Sequence, residues 1–67
     1  MTNHAIPRRL TLPQRYTLGM MRHQPMPKRD IHPATLHALL DAGYITESFF
    51  RMYAITDAGV AALEGES

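Results

Sequence analysis

The chain has 67 residues, of which 45% are hydrophobic and 19% are charged, and it contains neither cysteine nor tryptophan. This length excludes more than one small domain, and the missing cysteines exclude disulfide bonds and thiolate metal sites. The net charge of +1 hides two unequal halves: residues 1–29 carry six Lys and Arg and no acid (+6), whereas residues 30–67 carry one Arg and six acids (−5).

The predicted domain covers residues 10–64, between a basic arm and a short tail. Residues 1–9 contain a proline and two arginines without an apolar period, which predicts a flexible arm, and residues 65–67 form the tail. No window approaches the ~20 apolar residues that a membrane span requires, and no leader pattern opens the chain. We therefore expect a cytoplasmic protein without a membrane partner.

The first predicted helix covers residues 12–23. Thr11 and Gln14 have the spacing of a capping box, in which each side chain accepts a hydrogen bond from the backbone of the other residue. Apolar residues occur on two sides of this helix, since Leu18 and Met21 lie nearly opposite the stripe that contains Tyr16. Two interpretations stay open: a central helix packed on both sides, or one core face and one dimer or partner face.

A proline-rich link separates this helix from the second. Pro25 and Pro27 exclude a helix, and a short extended piece is predicted at 28–31. The second helix is predicted from Pro33 to Ala42, and Gly43 is expected to end it in the left-handed conformation. Its inward arc is predicted from three leucines: Leu36, Leu39 and Leu40.

The last third of the chain predicts a β-hairpin followed by a short helix. Residues 44–47 and 51–55 are rich in β-branched and aromatic residues, and residues 48–50 connect them. Thr56 has the residue type and the position of an N-cap for the final helix.

This order of elements resembles the small winged helix-turn-helix proteins of prophages and of bacterial regulators of the multiple-antibiotic-resistance repressor type. The segments that carry the resemblance are Leu10-Thr11 with Gln14 and Leu18, Pro33-Ala34-Thr35-Leu36 with Leu39, Ala42-Gly43-Tyr44-Ile45, and Ile55-Thr56-Asp57-Ala58-Gly59 with Ala62-Leu63. It implies an α+β winged-helix-like domain that binds duplex DNA, with the second helix as recognition helix. The outward face of that helix would be Ala34, Thr35, His37, Ala38 and Asp41.

The chain departs from the winged-helix pattern at two places. The proline-rich link replaces the helix that normally braces the recognition helix. The predicted outward face also lacks the Arg, Lys, Asn and Gln side chains that form bidentate contacts with purine edges.

The resemblance and the basic half together predict a non-catalytic regulator of phage or mobile-element origin. The predicted DNA-binding residues are Arg8, Arg9, Arg15, Arg22, Lys28, Arg29, Thr35, His37 and Arg51. The alternative for these cations is a solvated surface, or one that faces the acidic half of a second copy.

A protein-binding effector is the second hypothesis. It would keep the winged-helix frame and dock a host or phage protein, or a second copy of the chain, through exposed apolar residues. The predicted interface residues are Leu18, Met21, Phe49 and Phe50. For the two phenylalanines, the alternative is that one fills the core and the other lies along the hairpin.

Catalytic and metal sites are not predicted. The chain has two serines, no glycine-rich phosphate loop and no acid pair beside a histidine on one helix face. His32 and His37 are five residues apart, so they do not share a helix face as metal ligands would. We expect no enzyme activity, no metal and no cofactor.

Overall fold

A computed structural model describes residues 10–65; the predicted basic arm and the last two residues of the tail lie outside the described residues. The elements are α1 (Leu12–Met21), β1 (Met26–Pro27), α2 (Pro33–Ala42), β2 (Ile45–Glu47), β3 (Met52–Ile55) and α3 (Asp57–Gly65), with 3₁₀ turns at Lys28–Asp30 and Phe49–Arg51. This part of the chain is an α+β domain with a winged-helix-like layout, which confirms the predicted fold class.

Helix α1 begins with the predicted capping box. The Gln14 N–H donates to Thr11 Oγ1 at 3.2 Å, and the Thr11 N–H donates to Gln14 Oε1 at 3.1 Å. The helix ends at Met21, two residues before the predicted end. There the last turn tightens, since the His23 N–H donates to the carbonyl of Met20 at 3.1 Å.

Helix α2 has the predicted bounds and the predicted glycine end. Gly43 has φ of 79°, and the Tyr44 N–H donates to the Leu39 carbonyl at 3.0 Å. At the other end, Nδ1 of His32 accepts the N–H of Ala34 at 3.2 Å, so a histidine caps this helix.

The sheet has three antiparallel strands in the order β1-β3-β2. The hairpin of β2 and β3 confirms the prediction, with Ile45 opposite Ile55. The predicted extended piece at 28–31 is wrong: the strand lies at Met26–Pro27, and Lys28–Asp30 form a 3₁₀ turn. A two-residue edge strand tolerates Pro27, because an edge position does not require its amide for the ladder.

The core lies between α1, α2 and the sheet. The side of α1 that was predicted as an interface faces this core. The buried apolar residues are Leu18, Met21, Met26, Ile31, Leu36, Leu39, Ile45 and Tyr53. Leu18 is 0% exposed and Met21 is 3% exposed, whereas Tyr16 is 70% exposed. The prediction that Leu18 and Met21 form an interface is therefore wrong, because α2, α3 and β3 pack against their side of α1.

Helix α2 is rotated relative to the predicted arc. Thr35 is buried together with Leu36 and Leu39, while Leu40 is 37% exposed. The inward arc is centred on Thr35 and Leu39, which lie one turn apart, so Leu40 falls at its edge. The prediction that Thr35 faces DNA from the outward side is therefore wrong.

Thr56 joins the two ends of the hairpin region. Its Oγ1 accepts the Gly59 N–H at 3.1 Å, which confirms the predicted cap, and donates to the Gly43 carbonyl at 2.7 Å. Helix α3 continues to Gly65, one residue beyond the predicted domain end. Within residues 10–65, no helix combines the length and the apolar character that crossing a membrane requires.

Candidate functional site

The hairpin tip presents a short loop of unusual backbone conformation. Phe50 has φ of 57° and ψ of 38°, and Arg51 has φ of 60°, so both adopt the left-handed conformation that favours glycine. The loop is closed at its base by the Ser48 N–H, which donates to the Met52 carbonyl at 2.6 Å. The short closed loop therefore holds two large side chains in strained positions.

Next to this tip lies a groove of about 820 Å³, which we call the wing cleft. Three segments form its walls: the 3₁₀ turn after β1, the N-terminal half of α2, and the hairpin tip with the start of β3. The lining residues are Pro27, Lys28, Arg29, Ile31, Pro33, Leu36, His37, Phe50, Arg51 and Met52.

The wing cleft is positively charged. Lys28, Arg29 and Arg51 line it, and none of its lining residues within 10–65 is Asp or Glu. Within residues 10–65, no ion pair joins any of these three cations to an acid. Because Arg51 is more than 20 residues from the other two in sequence, it is the fold that brings the three charges together.

A second pair of predicted DNA-binding residues lies elsewhere. Arg15 and Arg22 line a different depression, the α1–α3 groove, together with Leu63 and Glu64. Arg22 Nη2 lies 3.8 Å from Glu64 Oε2, and both side chains are largely exposed. An exposed pair of this kind contributes at most about 1 kcal/mol, but it places a carboxylate beside the cations of this groove.

The outward face of α2 is shallow and weakly charged. His37, Ala38, Leu40 and Asp41 line a small depression there. Its only ionisable groups are one imidazole and one carboxylate, so this face offers no guanidinium or amide fork for a base edge. His37 also lines the wing cleft and so links the two surfaces.

Within residues 10–65, the predicted DNA-binding residues fall into three groups. Lys28, Arg29, His37 and Arg51 come together in the wing cleft. Arg15 and Arg22 share the α1–α3 groove, and Thr35 is buried. Arg8 and Arg9 lie outside the described residues.

The apolar interface residues are also redistributed. Phe49 is 80% exposed and Phe50 is 95% exposed, so neither fills the core. Their rings lie 6.5 Å apart at a tilt of 51°. The stripe of Leu12, Tyr16 and Met20 on α1, which the sequence shows opposite Leu18 and Met21, is the exposed one, so the predicted interface was assigned to the wrong side of this helix. Its one-turn spacing is visible in the sequence, but the spacing alone does not tell which side of α1 faces the core.

Comparison with known proteins gives no match to a family model, to a curated protein or to a solved structure.

Proposed function

We propose that this domain is a non-catalytic DNA-binding protein that holds the phosphate backbone of a duplex at the wing cleft. In this proposal it acts in the cytoplasm as a transcriptional regulator of a phage or mobile element, as the resemblance to small winged-helix proteins implies. The observation that carries the proposal is the convergence of Lys28, Arg29 and Arg51 in one cleft without a carboxylate.

Unpaired cations along a groove are the feature that phosphate binding requires. Each Lys or Arg that neutralises a phosphate releases condensed counterions, which drives binding at low salt. Lys28 and Arg29 lie on the turn before α2 in the sequence, and Arg51 lies on the hairpin after it. Two separate segments of the chain therefore supply cations to the same cleft for contacts with the phosphate backbone.

The predicted basic arm would add phosphate contacts in this proposal. Arg8 and Arg9 directly precede the domain in the sequence, and basic arms of DNA-binding domains often enter the minor groove. Arg15 and Arg22 have a smaller part in this proposal, because the α1–α3 groove contains Glu64.

Two matched charge variants test the proposal. Lys28→Gln/Arg29→Gln and Arg15→Gln/Arg22→Gln each remove two positive charges from the same half of the chain. Binding of the full chain to a labelled random duplex is measured by fluorescence anisotropy at several salt concentrations. The first variant should lose affinity by about tenfold or more. The number of counterions released on binding, read from the slope of log affinity against log salt concentration, should fall by about two.

The second variant is the control, and its affinity should fall by less than about threefold, as expected for long-range charge alone. Equal losses in both variants would contradict a localised cleft. If the unmodified chain does not bind DNA at low salt, the proposal is wrong.

A protein partner is a second candidate, supported by the exposed stripe on α1. Leu12 is 78% exposed and Tyr16 is 70% exposed, and with Met20 they follow one another at one-turn spacing along α1. A second copy of the chain or a host or phage protein would cover it. Sedimentation of the full chain and of Tyr16→Lys tests this: a dimer that the variant abolishes supports the interface, whereas a monomer leaves only a heterologous partner.

A further inference from the structure

Phe50, at the tip of the hairpin, exposes a large apolar side chain to solvent. Phe50 is 95% exposed, the most exposed of the large apolar side chains within residues 10–65. An exposed aromatic ring gains nothing from the core, so its presence at this position is not explained by stability.

The backbone at Phe50 is also unfavourable for its side chain. Phe50 and the following Arg51 both have φ near 60°, a conformation that glycine or asparagine adopts more easily. Strained non-glycine residues cluster at binding sites, where the strain presents a side chain in a set direction. Exposure and strain therefore coincide at one residue.

The third observation is the position of Phe50 in the wing cleft. It lines the cleft together with Lys28, Arg29 and Arg51. A flat apolar ring among cations suits a ligand that combines a flat apolar surface with negative charge. A nucleobase on its phosphate backbone has both properties, and aromatic side chains in basic grooves bind bases by stacking.

The outward side chains of α2, the predicted recognition helix, favour a binding mode that relies on stacking and not on contacts with base edges. Its outward face offers His37 and Asp41 and lacks the side chains that read purine edges in the major groove. Discrimination between DNA sites then has to come from the shape of the DNA or from an unstacked base. At other protein–DNA interfaces, apolar side chains insert between base pairs and unstack them.

We infer that Phe50 stacks on a base that has left the duplex stack, so that the domain selects locally distorted DNA over regular B-form DNA of the same sequence. This inference rests on the proposed function. The cations of the cleft hold the phosphates on either side of that base, and the ring packs against the exposed face of the base.

Two duplexes of identical flanking sequence test the inference, one fully paired and one with a single unpaired adenine. Affinities of the full chain are measured by anisotropy. The unmodified chain should prefer the bulged duplex by between about fivefold and 150-fold, the range of base–aromatic stacking. Phe50→Ala should reduce this ratio to about one, and Phe50→Trp should keep or increase it.

Phe49→Ala is the matched control, since Phe49 has the same side chain on the same loop but does not line the wing cleft. Its preference for the bulge should persist. Equal affinity of the unmodified chain for both duplexes, or an unchanged ratio in Phe50→Ala, would overturn the stacking role while the proposed function stands. Absence of binding to either duplex would overturn both.

Discussion

Two sides of this domain differ in whether their charged and polar side chains have partners. On the side where α1, α3 and β3 meet, groups are matched: Arg22 pairs with Glu64, and Thr56 caps α3 while it binds the carbonyl of Gly43. On the side of the wing cleft, Lys28 and Arg29 have no acidic partner within residues 10–65, and Phe50 is exposed and strained. The first side contributes contacts that support the fold, and the second presents charged and aromatic side chains to solvent, which is where we propose that DNA binds.

This difference predicts that substitutions on the packed side change stability, whereas those on the cleft side change binding. Four substitutions, from the largest expected effect to the smallest, test that division by urea denaturation. A domain of this size has roughly 3–5 kcal/mol of net stability, so each effect is a large fraction of the total.

Leu18→Ala should have the largest effect. Leu18 is fully buried on α1, and its truncation leaves a cavity that is expected to cost about 3–4 kcal/mol and to unfold much of the population. Leu12→Ala on the same helix is the control and should change the free energy of unfolding by less than about 0.5 kcal/mol. Equal effects would contradict the orientation of α1.

Gly59→Ala comes next. A Cβ at Gly59 would overlap with the carbonyl oxygen of Tyr44 and with the side chain of Ile55, so α3 would have to move from β3. We expect a loss of about 2–3 kcal/mol in the free energy of unfolding. In the control Gly19→Ala the new methyl group meets open space, and the higher helix propensity of alanine should add about 0.5–1 kcal/mol.

Thr56→Ala removes the cap of α3 and the hydrogen bond to Gly43 together. We expect a loss of about 1–2 kcal/mol, measured as a lower urea midpoint with an unchanged slope. Thr56→Ser is the control, because its hydroxyl can form both hydrogen bonds. A loss in the serine variant as large as in the alanine variant would show that the hydroxyl is not responsible.

Phe50→Gly should change stability in the opposite direction and by the least. Glycine adopts φ near 57° without strain, and the exposed ring contributes little to the core, so the free energy of unfolding should rise by about 0.5–1 kcal/mol. The affinity for the bulged duplex should fall in the same variant. A destabilised Phe50→Gly would show that the ring supports the fold instead.

Local signals in the sequence were sufficient to predict most elements. The capping box of Thr11 and Gln14, the glycine after α2 and the threonine before α3 act within a few residues, so their effects can be read without the tertiary structure. Strand β1 was not predicted, because Met26–Pro27 is extended only through pairing with β3.

The site was less predictable than the fold for the same reason. Helix α1 is apolar on two sides, and only the packing of α2, α3 and β3 decides that Leu18 faces inward. Likewise, the link that carries Lys28 and the hairpin that carries Arg51 are far apart in sequence, so their meeting in the wing cleft depends on the sheet and on α2. Charge composition predicted a basic half but not which of its members share a surface.

The most direct test of the account is an NMR titration of the full ¹⁵N-labelled chain with a short duplex. The account predicts that the amide signals of Lys28, Arg29, His37 and Arg51 shift or broaden first and most. Signals of the α1–α3 groove, such as those of Gly19 and Leu63, should change little. Perturbations centred on the α1–α3 groove, or no perturbation at low salt, would contradict the assignment of the wing cleft as the DNA-binding surface.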